Sequence, residues 1–242
     1  MSAAVASNLP LPAAHADLRP DPRPELRTVV ERHAAPDDRL IMAHDPLDPR
    51  CETMRALRTE LLLRRESVDR ASIVALLSPN PGEGRSLMAA ELAIAFAQTG
   101  RPTLLVDADL RRPQQHQLFG AANRHGLAQA LAQGEVPLLQ PVHGLPQMSL
   151  LTAGLVPGDP LELLSGRRFA ALLDGWRTEF EFVVIDTAPV GLYADGLAVA
   201  SLVGRVLALS RARHTSSRDL QDMLRRLAAT RSRILGAVIS HF

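Results

Sequence analysis

The stretch SPNPGEGRS, residues 78–86, decides the fold because of what stands on either side of it. The apolar run 73–77 leads into it and is typical of a buried strand, whereas the apolar pattern 87–97 after it is typical of a helix. A glycine-rich turn between a strand and a helix lets backbone N–H groups close around a phosphate chain, and the helix N-terminus adds partial positive charge. The stretch therefore predicts a phosphate-binding loop.

The residue types in this loop suit that chemistry. Gly82 and Gly84 supply a permissive backbone, and the hydroxyl of Ser86 stands where the Ser/Thr of a G-x-x-x-x-G-K-[ST] motif holds Mg²⁺. The strict motif is altered twice, since Pro79 stands at its first glycine and Arg85 at its lysine. All 27 basic residues of the chain are arginines, so Arg85 belongs to a bias that runs through the whole sequence.

Composition limits the class of protein. A chain of 242 residues with 46% apolar content can build one large α/β domain, and a formal charge of +1 predicts no nucleic-acid partner. Cys51 is the only cysteine, which predicts a reducing compartment. No apolar run approaches the ~20 residues that cross a bilayer, and the N-terminus has no signal pattern. We expect a cytoplasmic protein.

The chain divides near residue 45. Residues 1–45 are rich in proline without periodicity, which predicts a disordered or loosely ordered arm, and residues 46–242 are predicted to form the α/β domain. A helix is predicted to begin with Asp48 as N-cap and Pro49 at its first position. Its buried stripe is then Met54, Leu57 and Leu61.

Glu52, Arg55 and Arg58 follow one side of this predicted helix at a spacing of three. The spacing leaves two interpretations open. One is a solvated face of salt bridges, and the other is a surface that offers a carboxylate and two guanidinium groups to a facing molecule.

Two further strands end in carboxylates. The run 103–106 is followed by Asp107 and Asp109, whose side chains point the same way because they stand one residue apart on an extended chain. The run 182–186 closes with Asp186, the pattern of a Walker B strand. Turn-forming aspartate is the alternative for the first pair. The order of loop, Asp-x-Asp strand and Walker B strand favours a shared site for a metal-bound phosphate.

The remaining sequence alternates between the two periodicities, which predicts a mainly parallel sheet with helices on both faces. Further helices are predicted at 87–98, 127–132, 160–164, 168–180, 195–202 and around 220–227, and further strands at 149–152, 205–209 and 234–239. The eight histidines show no paired spacing, so zinc is not predicted. Tyr193, the one tyrosine, is predicted to be a packed loop residue rather than a phosphate acceptor.

Four segments together, PGEGRS (81–86), LLVDADLRRP (104–113), DPLELLSG (159–166) and FVVIDTAP (182–189), resemble the bacterial tyrosine kinases that regulate exopolysaccharide and capsule synthesis. Within that family they are most similar to the group associated with chain-length determination. The resemblance implies a P-loop NTPase-like fold with Walker A, Walker A′ and Walker B motifs. It also implies that Glu52, Arg55 and Arg58 form an oligomerisation motif.

The resemblance assigns further roles. The nucleotide-binding residues would be Pro81, Gly82, Glu83, Gly84, Arg85, Ser86, Leu87 and Arg111. Ser86, Asp107 and Asp186 would hold Mg²⁺. Asp107, Asp109 and Arg85 would be catalytic, with the aspartates assisting the metal and the incoming tyrosine hydroxyl.

The implied function is an ATP- and Mg²⁺-dependent protein tyrosine kinase that regulates exopolysaccharide chain length or export. Its implied partners are further copies of itself and a segment of a membrane-anchored polysaccharide co-polymerase, which would bring it to the inner face of the cell membrane. Two other hypotheses stay open. One is an ATPase switch of the partitioning or division-site type, and the other is a nucleotide-binding scaffold without turnover. Because Tyr193 is the sole tyrosine, we expect little self-phosphorylation.

Overall fold

The computed structural model describes the backbone at 27–28 and the residues 35–65, 71–156 and 158–241. Within these ranges, eight strands form one sheet in the order β1-β4-β5-β3-β6-β2-β7-β8. Neighbouring strands are parallel except β4 and β5, which are antiparallel. The strands are β1 (Arg27–Thr28), β2 (Ser72–Leu77), β3 (Thr103–Ala108), β4 (Leu138–Val142), β5 (Leu145–Leu151), β6 (Phe182–Thr187), β7 (Arg205–Arg211) and β8 (Arg233–Ser240).

Helices connect these strands. They are α1 (Ile41–His44), α2 (Cys51–Leu63), α3 (Arg85–Ala97), α4 (Gln115–Leu118), α5 (Leu127–Gln133), α6 (Pro160–Ser165), α7 (Arg167–Glu179), α8 (Asp195–Val203) and α9 (Ser217–Ala228). None of the described helices is both long and apolar enough to cross a membrane.

The core lies on both faces of the sheet, as predicted. Alternate residues of β2 show the division, because Ile73 and Leu77 belong to one apolar cluster and Val74 and Leu76 to the other. Helices α5 to α9 cover the first face, and α1 to α4 cover the second. Helix α3 is buried over almost its whole length.

The N-terminal boundary of the first long helix was predicted wrongly. Helix α2 begins at Cys51 rather than after Asp48. The carboxylate of Asp48 accepts the backbone N–H and the side chain of Arg50, so it closes a turn before the helix and does not cap the helix itself. The predicted apolar stripe is confirmed, since Leu61 is buried and Met54 and Leu57 pack against the core.

The segment 35–45 is packed, although it falls in the arm predicted to be loose. Leu40 and Met42 are buried, and the carboxylate of Glu91 in α3 accepts the backbone N–H groups of Ile41 and Met42 at 2.7 and 3.1 Å. We name residues 35–45 the N-terminal strap. Residues 1–26 and 29–34 lie outside the described part of the chain, so the predicted arm and domain boundary stay predictions there.

Strand pairing gathers the predicted site at one edge of the sheet. Strand β6 lies between β2, which leads into the glycine-rich loop, and β3, which leads to Asp109. In the register of β3 and β6, Asp107 stands directly opposite Asp186. Because these strands are parallel, their carboxyl ends meet at the same edge.

Candidate active site

The loop 78–86 has the backbone that the sequence predicts. Gly82 and Gly84 have φ values of 75° and 85°, in the left-handed region that favours glycine. Gly84 stands immediately before α3, so the loop runs into the N-terminus of a buried helix. Gly191 lies against the loop so closely that a Cβ there would come within 2.5 Å of the carbonyl oxygen of Pro79. The backbone of Gly191 therefore packs directly against the backbone of the loop, and its N–H donates to the carbonyl oxygen of Pro79 at 2.8 Å.

Glu83 was predicted to contact nucleotide, and its carboxylate is instead turned into the protein. The side chain is buried and accepts the backbone N–H of Asn80 at 2.9 Å. The hydroxyl of Thr215, just beyond β7, also donates to it, and Ser240 of β8 donates to the Glu83 carbonyl oxygen. These bonds fix the loop to two neighbouring strands. The contribution of Glu83 to a ligand is thus limited to its backbone.

Asp107 and Asp186 are both fully buried. The Oδ1 atom of Asp107 accepts the N–H of Asp109 at 3.2 Å, and its Oδ2 atom accepts the N–H groups of Gln114 and Gln115 at 3.1 and 3.0 Å. Burial, followed by the charge of Asp186, raises the pKa of Asp107 well above its ordinary value. Asp107 therefore organises the turn after β3 in addition to any role toward a ligand.

Arg85 lies between acids from two strands. Its Nη2 atom donates to Asp109 at 3.0 Å, its Nε atom lies 3.3 Å from Oδ1 of Asp186, and its Nη1 atom donates to the hydroxyl of Ser78 at 2.7 Å. The side chain is only 7% exposed. Burial and the charge of Asp186 raise the pKa of Asp109, although Arg85 opposes them. A phosphate contact by Arg85 would therefore compete with these acids for its guanidinium group.

A cavity of about 410 Å³ opens over the loop. The loop residues Pro81 to Leu87, together with Asp109 and Arg111, line it, so the structure brings most of the predicted site residues together. Arg111 forms an ion pair with Asp195, to which two of its nitrogens donate at 2.8 and 3.1 Å. The guanidinium group of Arg111 also lies 4.7 Å from the ring centre of Tyr193. Tyr193 is partly buried under that contact, and it also lines the cavity.

Other cavity-lining residues were not predicted. They are Arg39, Arg112, Gln114, Leu118, Pro189, Leu192 and Arg211. Arg211 donates to the carbonyl oxygen of Gly82 at 2.9 Å from the end of β7, and Arg39 comes from the N-terminal strap. Neither residue belongs to a motif that the sequence shows. Only the tertiary fold brings them to the loop. Arg112 and Pro189 could have been found, since each lies within a segment that was recognised, 104–113 and 182–189 respectively.

The predicted oligomerisation residues make contacts within their own chain. Arg55 forms an ion pair with Glu52 and donates to the carbonyl oxygen of Pro46, and Arg58 donates to the carbonyl oxygen of Ala95 in α3 at 3.0 Å. Glu52 remains 70% exposed and Arg55 24% exposed. The face is therefore partly available to a second subunit, but Arg58 also fastens α2 to α3.

The donor groups fit a magnesium ion. Oδ1 of Asp186 is buried and accepts no hydrogen bond from the described residues, although Arg85 lies near it. Ser86, a hydroxyl-bearing residue in the first turn of α3, lines the cavity over the loop. Carboxylate and hydroxyl oxygens are the hard ligands that Mg²⁺ prefers, and this ion takes few protein ligands when it also binds phosphates.

Comparison with known proteins places the chain among the bacterial tyrosine-protein kinases. EpsB of Ralstonia nicotianae is 34% identical over 203 residues, which are 83% of this chain and 27% of that protein. The solved kinase domain of the Escherichia coli tyrosine kinase Etk is 30% identical, with a TM-score of 0.79, and the match covers 89% of this chain and 84% of that one. The chimerical protein CapA2B2 is 29% identical with a TM-score of 0.77, over 87% of this chain and 92% of that chain.

This chain belongs to the bacterial tyrosine-protein kinase family. It has a P-loop NTPase-like fold, and the cell-division ATPase MinD of Pyrococcus furiosus shares the fold at 22% identity and a TM-score of 0.60. No family profile matches the sequence. The chain spans about a quarter of the length of the curated relatives it matches first.

Proposed function

We propose that this chain is an ATP-dependent protein tyrosine kinase that acts in the synthesis of exopolysaccharide or capsule. The observation that carries the proposal is the meeting of the glycine-rich loop and Asp109 in one cavity, with the carboxylate of Asp186 3.3 Å from Arg85. Family membership supports the same activity. The proposal includes control of polymer chain length or export, as the resemblance implies.

The reaction transfers the terminal phosphoryl group of ATP to a tyrosine hydroxyl, with ADP and phosphotyrosine as products. The N–H groups of the loop and the first turn of α3 bind the phosphate chain. When bound, Mg²⁺ would be held by Ser86 and Asp186 and would neutralise charge on the phosphates. Arg85 adds a second positive charge at the same end of the loop, and its affinity for Asp109 and Asp186 keeps it in position.

Asp109 is the residue in this proposal that receives the tyrosine hydroxyl. It lines the cavity, and its raised pKa makes its carboxylate a better proton acceptor than an ordinary aspartate. Phosphoryl transfer requires mainly that donor and acceptor be held in line and that charge be neutralised. A rigid loop and carboxylates at the ends of adjacent strands provide both.

The proposed partner is a membrane-anchored polysaccharide co-polymerase whose cytoplasmic segment activates the kinase. The likeness to the CapA2B2 chimera supports a partner of this kind. In this proposal the kinase reaches the inner face of the membrane through that partner.

The test incubates the purified chain with labelled ATP, Mg²⁺, a tyrosine-containing acceptor protein and the activator segment, and separates phosphotyrosine from free phosphate. Phosphotyrosine formation, lost in Asp186→Asn, supports the proposal. Release of free phosphate without phosphotyrosine would move the function to an ATPase switch. Binding of ATP with neither product would indicate a nucleotide-binding scaffold.

A further inference from the structure

Gln115 is a buried polar residue that no motif of the sequence includes. It is the first residue of α4, its side chain has no exposed surface, and it lies next to the exposed Gln114. Its Nε2 atom donates to the carbonyl oxygen of Ser86 at 2.9 Å and to Oδ2 of Asp186 at 2.9 Å. One amide group thus joins the first turn of α3 to the carboxylate at the end of β6.

The orientation of this amide follows from its surroundings. Both atoms on the Nε2 side are acceptors, so a reversed amide would set its oxygen against a carbonyl oxygen and a carboxylate. The Oε1 atom accepts no hydrogen bond from the described residues. Burial of an unsatisfied acceptor costs free energy, and the two bonds of Nε2 offset that cost. The side chain is therefore held by its contacts with Ser86 and Asp186.

The backbone of Gln115 is held just as firmly. Its N–H donates to Asp107 at 3.0 Å, and Asp107 stands opposite Asp186 in the sheet register. The turn after β3, the helix α4 and the end of β6 are thus joined through one residue. With Oδ2 of Asp186 engaged by Gln115, any further ligand of the carboxylate would bind at Oδ1, which accepts no hydrogen bond from the described residues and has Arg85 Nε 3.3 Å away as its ion-pair partner.

We propose that Gln115 is a positioning residue that fixes the Asp186 carboxylate relative to Ser86, so that the two groups bind one divalent cation together with the nucleotide. The inference rests on the proposed function, because it takes Ser86 and Asp186 as the magnesium ligands. Residues that orient metal ligands by hydrogen bonds typically change metal affinity 10- to 100-fold when they are removed. Gln115 touches neither the cation nor the phosphates in this proposal.

The test uses Gln115→Met, which keeps the length of the side chain and removes its hydrogen bonds. The matched control is Gln117→Met, on the same helix with an exposed side chain. Calorimetry gives the dissociation constant of ADP with and without Mg²⁺, and the ratio of the two constants measures the coupling between cation and nucleotide. Mn²⁺ binding in the presence of ADP, followed by electron paramagnetic resonance, measures the cation directly.

For Gln115→Met we expect the coupling ratio and the Mn²⁺ affinity to fall by about tenfold or more, with metal-free ADP affinity within about twofold of wild type. Gln117→Met should match wild type in all three quantities. A general folding defect would lower metal-free ADP affinity as well, and that result would overturn the positioning role. Unchanged coupling in Gln115→Met would also overturn it.

The outcomes separate this inference from the proposed function. If Gln115→Met loses the coupling between Mg²⁺ and ADP that wild type shows, but wild type forms no phosphotyrosine, the inference is supported and the kinase proposal is contradicted. Phosphotyrosine formation with coupling that is independent of Gln115 would support the kinase and overturn the inference. Absence of any coupling between Mg²⁺ and ADP in wild type would overturn both.

Discussion

Arg85 contacts acids at the ends of two strands, so its side chain serves the fold as well as any ligand. Its guanidinium lies within 3.3 Å of both Asp109 and Asp186 while remaining only 7% exposed. Removing one partner of a buried ion pair leaves an uncompensated charge and typically costs about 3–5 kcal/mol. Arg85→Ala is therefore expected to lower both stability and ATP affinity.

Arg85→Lys should behave differently from Arg85→Ala. A lysine ammonium reaches a phosphate as a point charge but cannot contact Ser78, Asp109 and Asp186 at once. We expect Arg85→Ala to lose at least about tenfold in ATP affinity, which is ~1.4 kcal/mol, and Arg85→Lys to stay within a few-fold of wild type. Calorimetric titration, with thermal unfolding of each variant, measures both effects. Wild-type affinity in a folded Arg85→Ala would show that this residue only neutralises the acids.

Asp107 makes the free energy of unfolding depend on pH. Burial and Asp186 raise its pKa in the folded chain above the ordinary value of 3.8, so folding favours the protonated acid. The resulting stabilisation is complete below that ordinary value and is lost as pH rises through the raised pKa. Asparagine does not ionise, so the stability of wild type should fall relative to Asp107→Asn as pH increases over this window.

Urea unfolding at several pH values from about 4 to 8 tests this prediction, because the difference in free energy of unfolding between wild type and Asp107→Asn isolates the one carboxyl group. The exposed Asp38, changed to Asn, is the control and should give a nearly constant difference. A pH-independent difference for Asp107→Asn would mean that this carboxyl ionises in the folded chain as it does in the unfolded chain.

At the scale of elements, the N-terminal strap depends on one buried carboxylate of α3. Glu91 accepts the N–H groups of Ile41 and Met42, and burial raises its pKa. Glu91→Gln keeps the size of the side chain but replaces one acceptor oxygen by a donor, so one of the two N–H groups loses its partner. Because hydrogen bonds to charged groups contribute about 1.5–3 kcal/mol, we expect the strap to open more often in this variant.

Amide hydrogen exchange at Ile41 and Met42 measures that opening. Faster exchange in Glu91→Gln, with little change in the sheet, is the expected result. Glu60→Gln is the control, since Glu60 lies on α2 with its side chain 60% exposed and contacts Arg64 at 3.4 Å. Equal exchange in all three proteins would indicate that the apolar contacts of Leu40 and Met42 hold the strap without Glu91.

The sequence was sufficient for elements whose own pattern specifies them. Strands β2, β3 and β6 are continuous apolar runs, and the loop 78–86 and the aspartates that follow strands are local motifs. Short elements were missed because four residues of α1 or two of β1 show no period. Strand β4 contains Pro141, which argues against a strand, and it is accommodated at an irregularity in its pairing with β5.

In the candidate site, too, the residues that belong to local motifs were predictable, and those placed by distant contacts were not. Gly82, Ser86, Asp109 and Asp186 stand in recognisable order along the chain, and the parallel sheet brings them together. Gln115 could not be found, because its importance comes from contacts with residues 29 and 71 positions away in sequence. The inward turn of Glu83 was missed for a related reason, since its partner Thr215 lies 132 positions away.

At the scale of the whole molecule, the candidate site and the predicted oligomerisation residues lie on different elements. The site lies where β3, β6 and β2 end, whereas Glu52 and Arg55 lie on α2, which packs against α3 on one face of the sheet. Glu52 and Arg55 are therefore not among the residues that line the cavity over the loop. A head-to-tail contact through α2 closes into a ring when its rotation permits.

Glu52 is the residue at which self-association can be tested with least damage to the subunit. Arg58 also donates to Ala95 within its own chain, so its removal would confuse association with folding, whereas Glu52 is 70% exposed. If α2 is a subunit contact, Glu52→Arg should reverse a charge at the interface and shift the protein toward monomer in sedimentation velocity. Thr53→Arg introduces the same side chain at the neighbouring exposed position and is expected to perturb association less, because it lies off the line of the motif. Identical mass distributions for wild type and Glu52→Arg, both above monomer, would show that this face of α2 is only solvated and that the chain associates through another surface.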